Sequence, residues 1–290
     1  MHQTHIPANG RSYSFNGNGR PDILACDPEA ARLYVHPHTG YFNGLDTYGA
    51  PVLVGRGQEF ASCQWIGAGD FNGDGKADVI VITADNQVLL HVNQGGLDGL
   101  NTLGEPIHVG GKLPDVSYDT ISIGDLTGSG TTDIIGRLEN TGEIHYVPSL
   151  GKVDGTETFG PPVYFATIGS TDVPVGLADI TGNGELDLVV KHSNGDLSAL
   201  DFFAGGKRED DYPAGGEGVW HRIGRGFDAY EVMNITDVNG DGKPDLMGIR
   251  ADGTLMVHTH SRVFDPGNPL ATFQAPVAVG TGWNVYANIS

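Results

Sequence analysis

The sequence predicts an all-β fold, a five-bladed β-propeller with four antiparallel strands in each blade. An acidic nine-residue motif occurs five times, and each copy is followed by short apolar runs with room for four strands. The copies start at residues 14, 70, 125, 179 and 237, at intervals of 56, 55, 54 and 58 residues. So regular a period indicates one supersecondary unit repeated along the chain, so we treat residues 1–290 as a single domain.

The motif is clearest at residues 70–78, DFNGDGKAD, which lead into the apolar run 79–82. A close copy, DVNGDGKPD, occupies residues 237–245, and the copies at 179–187, 125–133 and 14–22 lose acidic residues in that order. Position 9 is aspartate in every copy: Asp22, Asp78, Asp133, Asp187 and Asp245. The second unit shows the pattern of strands, which we predict at 78–82, 87–92, 106–109 and 117–123.

The two ends of the chain predict how the propeller closes. The first loop copy begins at residue 14 without the strand that precedes the other copies. Residues 287–290, ANIS, resemble residues 233–236, MNIT, which run directly into the loop at 237. We therefore expect the C-terminal strand to complete the first blade and close the ring, which removes an exposed sheet edge.

Composition excludes several classes of partner. The chain has 36 acidic and 16 basic residues, a formal net charge of −20, which repels nucleic acid and anionic membranes. There is no run of 18 apolar residues, so we expect no membrane insertion, and no signal peptide is visible at residues 1–4. The two cysteines, Cys26 and Cys63, fit neither a disulfide scaffold nor a zinc site. Adjacent blades can bring them together and a secreted protein would then oxidise them; the alternative is a pair of buried free thiols.

The acidic loops have the chemistry of calcium sites. Calcium takes 6–8 oxygen ligands, and side chains at positions 1, 3 and 5 converge when glycine at position 6 permits a sharp turn. Position 7 offers a backbone carbonyl and the aspartate at position 9 closes the site, whereas position 12 lacks the glutamate of an EF-hand. The predicted ligands are Asp70, Asn72, Asp74, Lys76, Asp78, Asp125, Thr127, Ser129, Thr131, Asp133, Asp179, Thr181, Asn183, Glu185, Asp187, Asp237, Asn239, Asp241, Lys243 and Asp245.

Carboxylate number grades the loops, with the loops at 70 and 237 strongest and the loop at 125 weak. The loop at 14 keeps one aspartate, so we expect an Asx-turn without an ion there. The motif resembles the FG-GAP, or VCBS, repeats of integrin-type and bacterial extracellular propellers. That resemblance covers nearly the whole chain and implies calcium binding and a secreted protein. The family includes lectins, adhesion modules and non-catalytic parts of larger enzymes, and its motif carries no catalytic residues.

Histidines supply the one enzyme-like feature of the sequence. Aligned blades place His36, His91 and His258 at one position, and His38 and His260 two residues further along their strands. Residues two apart share a strand face, so His-x-His strands of neighbouring blades can ligate copper, iron or zinc. The alternative is that duplication copied one histidine position, and we favour it. No serine-hydrolase motif, phosphate loop or zinc cysteine motif is present.

Aromatic residues offer candidate sugar-stacking faces at Trp220, Trp283, Phe60 and Phe227. The alternative is that these rings fill the wedges between blades. We expect a binding module for carbohydrate or glycoprotein rather than an enzyme. A protein-adhesion scaffold and a transition-metal enzyme that uses the histidines remain the alternative functions.

Overall fold

A computed structural model describes residues 14–85, 87–110, 118–138, 141–202 and 218–290. These residues form five sheets of four strands, and every pair of neighbouring strands is antiparallel. One short α-helix, α1 (Gln58–Ala61), occurs in the described part of the chain. None of the helices found there is long and apolar enough to cross a membrane. The predicted five-bladed β-propeller is confirmed.

The strands follow the repeats in chain order. The first blade contains β1 (Ile23–Asp27), β2 (Arg32–His36) and β3 (Val52–Arg56); the second β4 (Cys63–Gly69), β5 (Asp78–Thr83), β6 (Val88–His91) and β7 (Ile107–His108); the third β8 (Tyr118–Gly124), β9 (Asp133–Leu138), β10 (Glu143–Val147) and β11 (Val163–Thr167); the fourth β12 (Val173–Ala178), β13 (Asp187–Lys191), β14 (Leu197–Asp201) and β15 (Val219–Gly224); the fifth β16 (Tyr230–Thr236), β17 (Asp245–Arg250), β18 (Leu255–His258) and β19 (Val277–Gly280). The last strand, β20 (Asn288–Ile289), belongs to the first blade.

The second repeat shows how accurately the sequence pattern locates strands. The expected strands at 78–82, 87–92, 106–109 and 117–123 appear as β5, β6, β7 and β8, with β8 opening the third blade. All six residues of β5 are buried. A strand in the middle of a blade is covered by neighbouring blades on both faces, so it reads as a continuous apolar run rather than an alternating one.

The C-terminal strand pairs with the first blade as expected. In the antiparallel pair β20–β1, Ile289 lies opposite Ala25. The Leu24 N–H donates to the Ser290 carbonyl at 2.8 Å, and the Ser290 N–H donates to the Leu24 carbonyl at 3.0 Å. Strand β20 also contacts β4 and β16, the innermost strands of the second and fifth blades. The first blade is therefore assembled from both ends of the chain.

The core consists of apolar seams between blades rather than one central cluster. Leu24 and Val35 of the first blade pack with Ile66 and Val79 of the second. Equivalent clusters join the second to the third blade, the third to the fourth, the fourth to the fifth and the fifth to the first. Each blade is thus stabilised by burial of apolar surface on its two neighbours.

The two cysteines meet at the seam between the first and second blades. Cys26 lies on β1 and Cys63 on β4, and their thiols are hydrogen-bonded to each other. The Cys26 thiol is fully buried and lies 3.5 Å from the Phe60 carbonyl oxygen. Donation of the Cys63 S–H to Cys26, together with burial, raises the pKa of the Cys63 thiol. The expected proximity is therefore present, and this structure holds both cysteines as free thiols.

Treatment of the folded protein with oxidised glutathione should join Cys26 to Cys63. The bridge would close the loop between Cys26 and Cys63. Loop closure raises the free energy of unfolding by about 4 kcal/mol at most, so the melting midpoint should rise. Intact mass should show the loss of two hydrogens, and the Cys63→Ser variant should show neither change. Two thiols that still titrate in denaturant after oxidation would exclude the bridge.

Candidate metal loops and ligand groove

The repeated loops join the first and second strands of each blade and fold around the side chain at position 1. In the loop at 70, the Asp70 carboxylate accepts the N–H groups of Gly73 at 2.7 Å, Asp74 at 3.1 Å and Gly75 at 2.9 Å. Gly73 and Gly75 have φ of 79° and 83°, a left-handed conformation that glycine adopts without strain. The loop therefore wraps its backbone donors around one buried carboxylate.

The loop at 237 repeats this geometry. Asp237 accepts the N–H groups of Gly240, Asp241 and Gly242 at 2.7, 3.0 and 2.9 Å. The side-chain oxygen of Asn239 accepts the Asp241 N–H at 2.9 Å. In the weaker loops, Asp179 and Asp125 each accept two N–H groups. The position-1 aspartates of four loops thus point inward, as a calcium ligand must.

The remaining predicted ligands lie on the same loops. Asn72 accepts the Asp74 N–H at 2.9 Å, and the Ser129 and Thr131 hydroxyls lie 2.8 Å apart. The Asn183 side-chain oxygen accepts the Glu185 N–H at 2.8 Å. The backbone N–H groups of Thr127 and Thr181 donate to the position-9 aspartates of their own loops. The side-chain oxygens of Asn72, Ser129 and Asn183 are therefore turned toward the loop backbone, whereas the buried Thr181 hydroxyl has no partner among the described residues.

The aspartate at position 9 clamps the loop to the third strand of its blade. Asp78 accepts the Phe71 N–H of its loop at 3.2 Å with one oxygen, and the Asn93 N–H beyond β6 at 2.9 Å with the other. Asp22, Asp133 and Asp245 make the same two kinds of bond. In the described part of the fourth blade, Asp187 binds the loop with Oδ2 while its buried Oδ1 has no partner.

Burial makes the position-9 aspartates weak acids. It raises the pKa of Asp78 to about 6, of Asp245 to about 7 and of Asp187 to about 8. Neighbouring loop carboxylates raise these pKa values further, since like charges disfavour ionisation. Each strong loop is therefore a concentration of negative charge that a bound cation would relieve.

Basic side chains partly neutralise the position-5 carboxylates of the loops at 70 and 237. The Lys76 ammonium lies 3.0 Å from Asp74 Oδ2, and Arg262 Nε lies 2.7 Å from Asp241 Oδ2. Burial opposes ionisation of Asp74 and Asp241, but the hydrogen bonds from Lys76 and Arg262 outweigh it and lower both pKa values. A cation entering these loops would compete with the two basic side chains.

The donor set suits calcium better than a softer metal. It consists of carboxylate, amide, hydroxyl and backbone oxygens, the ligands of hard cations. Among the residues that the structure describes, no three His, Cys, Asp or Glu side chains are grouped as a ready metal site. Calcium in the loops would therefore rely on the amide, hydroxyl and backbone oxygens as well as the carboxylates.

The loop at 14 closes with neutral groups. The Asn18 N–H donates to the Ser14 hydroxyl at 3.1 Å and to the Asn16 side-chain oxygen at 3.0 Å. The Asn18 amide group donates to the His38 carbonyl at 2.7 Å. These are the hydrogen bonds of an Asx-turn, which hold this loop in shape through side-chain amides.

Two of the five histidines bind the loop of a neighbouring blade. His38 Nε2 lies 3.0 Å from the Val238 carbonyl oxygen, and its Nδ1 accepts the Gly40 N–H at 2.9 Å. His260 makes the same pair of bonds with Ile180 and Arg262. Since a carbonyl only accepts, Nε2 carries the proton and both rings are neutral. Each ring ties its blade to the next through Nε2 and holds its own connecting segment through Nδ1.

The other three histidines pack on the aromatic candidates. His36 packs against Trp283 with ring centroids 4.3 Å apart and His258 against Phe227 at 5.1 Å, both with tilted rings, and His91 stacks on Phe60 at 5.7 Å. Trp283, Phe227 and Phe60 are at most 5% exposed. These three rings therefore lie in the core beside histidines, and their stacking faces are already covered.

Tyrosines complete two of these three pairs. The Tyr286 hydroxyl lies 3.0 Å from His36 Nε2, and the Tyr230 hydroxyl lies 2.6 Å from His258 Nε2. The second blade carries Cys63 at the corresponding place, and the buried Nε2 of His91 has no partner among the described residues. The cysteine that faces Cys26 thus explains this unpaired nitrogen.

Trp220 is the one exposed ring among the four aromatic candidates, with 43% of the residue accessible. It lies on β15 with its ring centroid 5.9 Å from that of His192. Arg222, two residues further along the same strand face, lies with Nη1 3.3 Å from Asp196 Oδ2. The sequence reading missed His192, Asp196 and Arg222, although the Trp-x-Arg spacing signals a shared face. We call these four residues the Trp220 groove.

Comparison with known proteins supports the repeat assignment. A family model described as an FG-GAP-like repeat matches residues 15–81 and again residues 70–136. No curated protein of known function matches the chain significantly in sequence. The matches cover the whole loop copies at 70 and 125, and all but the first residue of the copy at 14.

Solved structures with similar folds have distant sequences. A lectin from Agrocybe aegerita that recognises non-reducing terminal N-acetylglucosamine is 20% identical, with a TM-score of 0.46. The alignment covers 93% of this chain and 65% of the lectin chain. A PQQ-bound aldose sugar dehydrogenase from Streptomyces coelicolor is 13% identical, with a TM-score of 0.46, over 97% of this chain and 84% of that one. The five four-stranded sheets make the described chain a β-propeller, and residues 15–136 of it match FG-GAP-like repeats.

Proposed function

We propose that this protein is a calcium-stabilised extracellular module that binds carbohydrate through the Trp220 groove. The observation that carries the proposal is the exposed indole of Trp220 beside charged and polar side chains. A sugar ring presents an apolar C–H face and a rim of hydroxyls. An aromatic face with hydrogen-bonding groups at its edge complements both.

Each group of the groove has a separate part in this proposal. Trp220 supplies the stacking face, while the Arg222 guanidinium donates in a planar fork and the Asp196 carboxylate accepts. The Arg222–Asp196 pair, with Arg222 about half exposed, holds both groups in place before a ligand arrives. A site ordered in advance loses less entropy on binding.

Calcium would serve the fold rather than the ligand. The predicted ligands at positions 1, 3, 5, 7 and 9 lie on the face opposite the turns that carry His192 and Asp196, because successive antiparallel strands alternate in direction. A bound ion would neutralise the loop carboxylates and tie each loop to the following strand. The graded carboxylate content of the loops suits weak sites filled at extracellular calcium concentrations, which supports the proposed location.

A second candidate, a protein-adhesion scaffold, is favoured by exposed apolar residues on neighbouring blades. Tyr41 is 77% and Leu45 62% exposed on the first blade, and Val263 is 67% exposed on the fifth. All three lie on connections between third and fourth strands, and the helical turn with Leu45 contacts β19 of the fifth blade. Exposed apolar surface of this kind suits contact with another protein.

Calcium should raise the melting midpoint, and EDTA should lower it. A ligand at one hundred times its dissociation constant stabilises a native state by about 2.7 kcal/mol per site. Asp74→Ala and Asp241→Ala should each remove one calcium per chain by elemental analysis. Asp154→Ala, an exposed carboxylate outside the loops, is the control. An unchanged midpoint, with no calcium in the purified protein, would sink the proposal.

Without calcium, stability should fall as pH rises from about 4 to about 8, because burial raises the pKa of Asp78, Asp245 and Asp187 to about 6, 7 and 8. The native state then holds more protons than the unfolded state across this range, so deprotonation favours unfolding. Melting curves in EDTA should show this slope. Saturating calcium should flatten it, and equal slopes in both buffers would contradict the proposal.

Trp220→Ala should abolish glycan binding on an array and leave the melting midpoint unchanged, because the ring is exposed. Tyr41→Ala, which removes a more exposed ring from the opposite face, should keep binding. Trp283→Ala should instead destabilise the fold by about 3–5 kcal/mol, the usual cost of deleting a buried large aromatic side chain. Absence of any glycan hit, together with capture of a protein partner that Tyr41→Ala weakens, would decide for the adhesion scaffold.

A further inference from the structure

Three polar side chains of the fourth blade form a hydrogen-bonded chain beside Trp220. His192 Nδ1 lies 2.8 Å from Asp172 Oδ2, and His192 Nε2 lies 2.9 Å from Ser198 Oγ. Asp172 precedes β12, His192 follows β13 and Ser198 lies on β14, so three neighbouring strands of one sheet bring them together. The order is carboxylate, imidazole, hydroxyl.

The hydrogen bonds define the protonation state that a nucleophilic serine needs. A carboxylate only accepts, so the neutral His192 ring carries its proton on Nδ1, and Nε2 offers a lone pair to the Ser198 hydroxyl. Asp172 holds the ring in this tautomer. The arrangement is that of a nucleophile, its general base and the group that orients the base.

Comparison with the second and fifth blades shows that this hydrogen-bonded series of side chains is not a feature of the repeat. In the fourth blade, Ser198 of the third strand lies opposite Val190 of the second strand. The residue at this place is Leu89 in the second blade and Met256 in the fifth. Thr83 and Arg250 stand in the place of His192, each with its N–H bound across the same turn. Cys63 and Tyr230, seven residues before their loops, stand in the place of Asp172. Three positions have therefore diverged together in one blade.

The surroundings of these three side chains suit a reaction on the side that faces solvent. Ser198 is 7% exposed, whereas the His192 side chain is 27% exposed and Trp220 43% exposed. Arg222 lies directly opposite Ser198 in the β14–β15 pair, so both side chains leave the same face of the sheet. A positive guanidinium there can stabilise an oxyanion that forms at Ser198.

We propose that Asp172, His192 and Ser198 form a nucleophilic centre that hydrolyses carboxylic esters. Ser198 Oγ attacks the carbonyl carbon and its proton passes to His192 Nε2. The bond to the alcohol oxygen then breaks, and the alcohol leaves with that proton. Water attacks the acyl-serine and gives a proton to His192. The acid departs as Ser198 Oγ takes that proton back, so no oxidant or reductant is needed.

A fluorophosphonate probe tests the centre in the unmodified chain, because only an activated serine attacks its phosphorus. We expect one adduct per chain, mapped by peptide mass spectrometry to Ser198. With p-nitrophenyl acetate, Ser198→Ala and His192→Gln should each lower hydrolysis at least about tenfold, since a general base contributes that much or more. Ser193→Ala, which removes an exposed serine next to His192, should leave labelling and hydrolysis unchanged.

Asp172 acts through His192, so its variant separates positioning from folding. Asp172→Asn should lower kcat with KM and the melting midpoint little changed, because it disturbs the tautomer and not substrate binding. An unlabelled Ser198 in folded protein, or hydrolysis that survives Ser198→Ala, would overturn the proposal. The glycan and ester assays have separate readouts, so either proposal can fail while the other stands.

Discussion

The two-sided hydrogen bonding of the position-9 aspartate is the constraint on which each blade depends. One carboxylate oxygen holds the loop between the first and second strands, and the other holds the chain where the third strand ends, as at Asp78. Burial makes this carboxylate costly to ionise, so its backbone donors must be in place. The residue conserved in all five copies within this chain thus builds the blade whether or not an ion is bound.

Neighbouring blades extend this framework through the same loops. His38 reaches the Val238 carbonyl of the fifth blade, and Ser149 donates to the Phe71 carbonyl of the second at 3.1 Å. Arg20 of the first loop lies over Gly240, where an added Cβ would overlap its guanidinium. Polar loop contacts and apolar seams therefore join the same pairs of blades, and the loops link into a network rather than acting as five separate turns.

The period and the strand pattern were sufficient to predict the fold, because loop residues and apolar runs are local signals. Burial of Trp283 was not predictable in the same way. Its exposure depends on His36, which lies far away in sequence and packs against it because β20 joins the sheet of β1 and β2. The sequence likewise placed the five histidines on aligned positions, but only the structure shows which nitrogen each ring uses. Asp172, His192 and Ser198 fit no short motif, since their meeting is set by strand register.

The pairing of β20 with β1 has a consequence for the order in which the protein can fold. As the chain is synthesised, the second, third, fourth and fifth blades can each form from contiguous sequence. The first blade must wait with the edge of β1 unpaired until Ile289 and Ser290 emerge. That edge is a template for pairing with another chain, and contacts between such distant residues form slowly. The nascent chain can therefore aggregate through the unpaired edge of β1 until β20 has been synthesised and has paired with it.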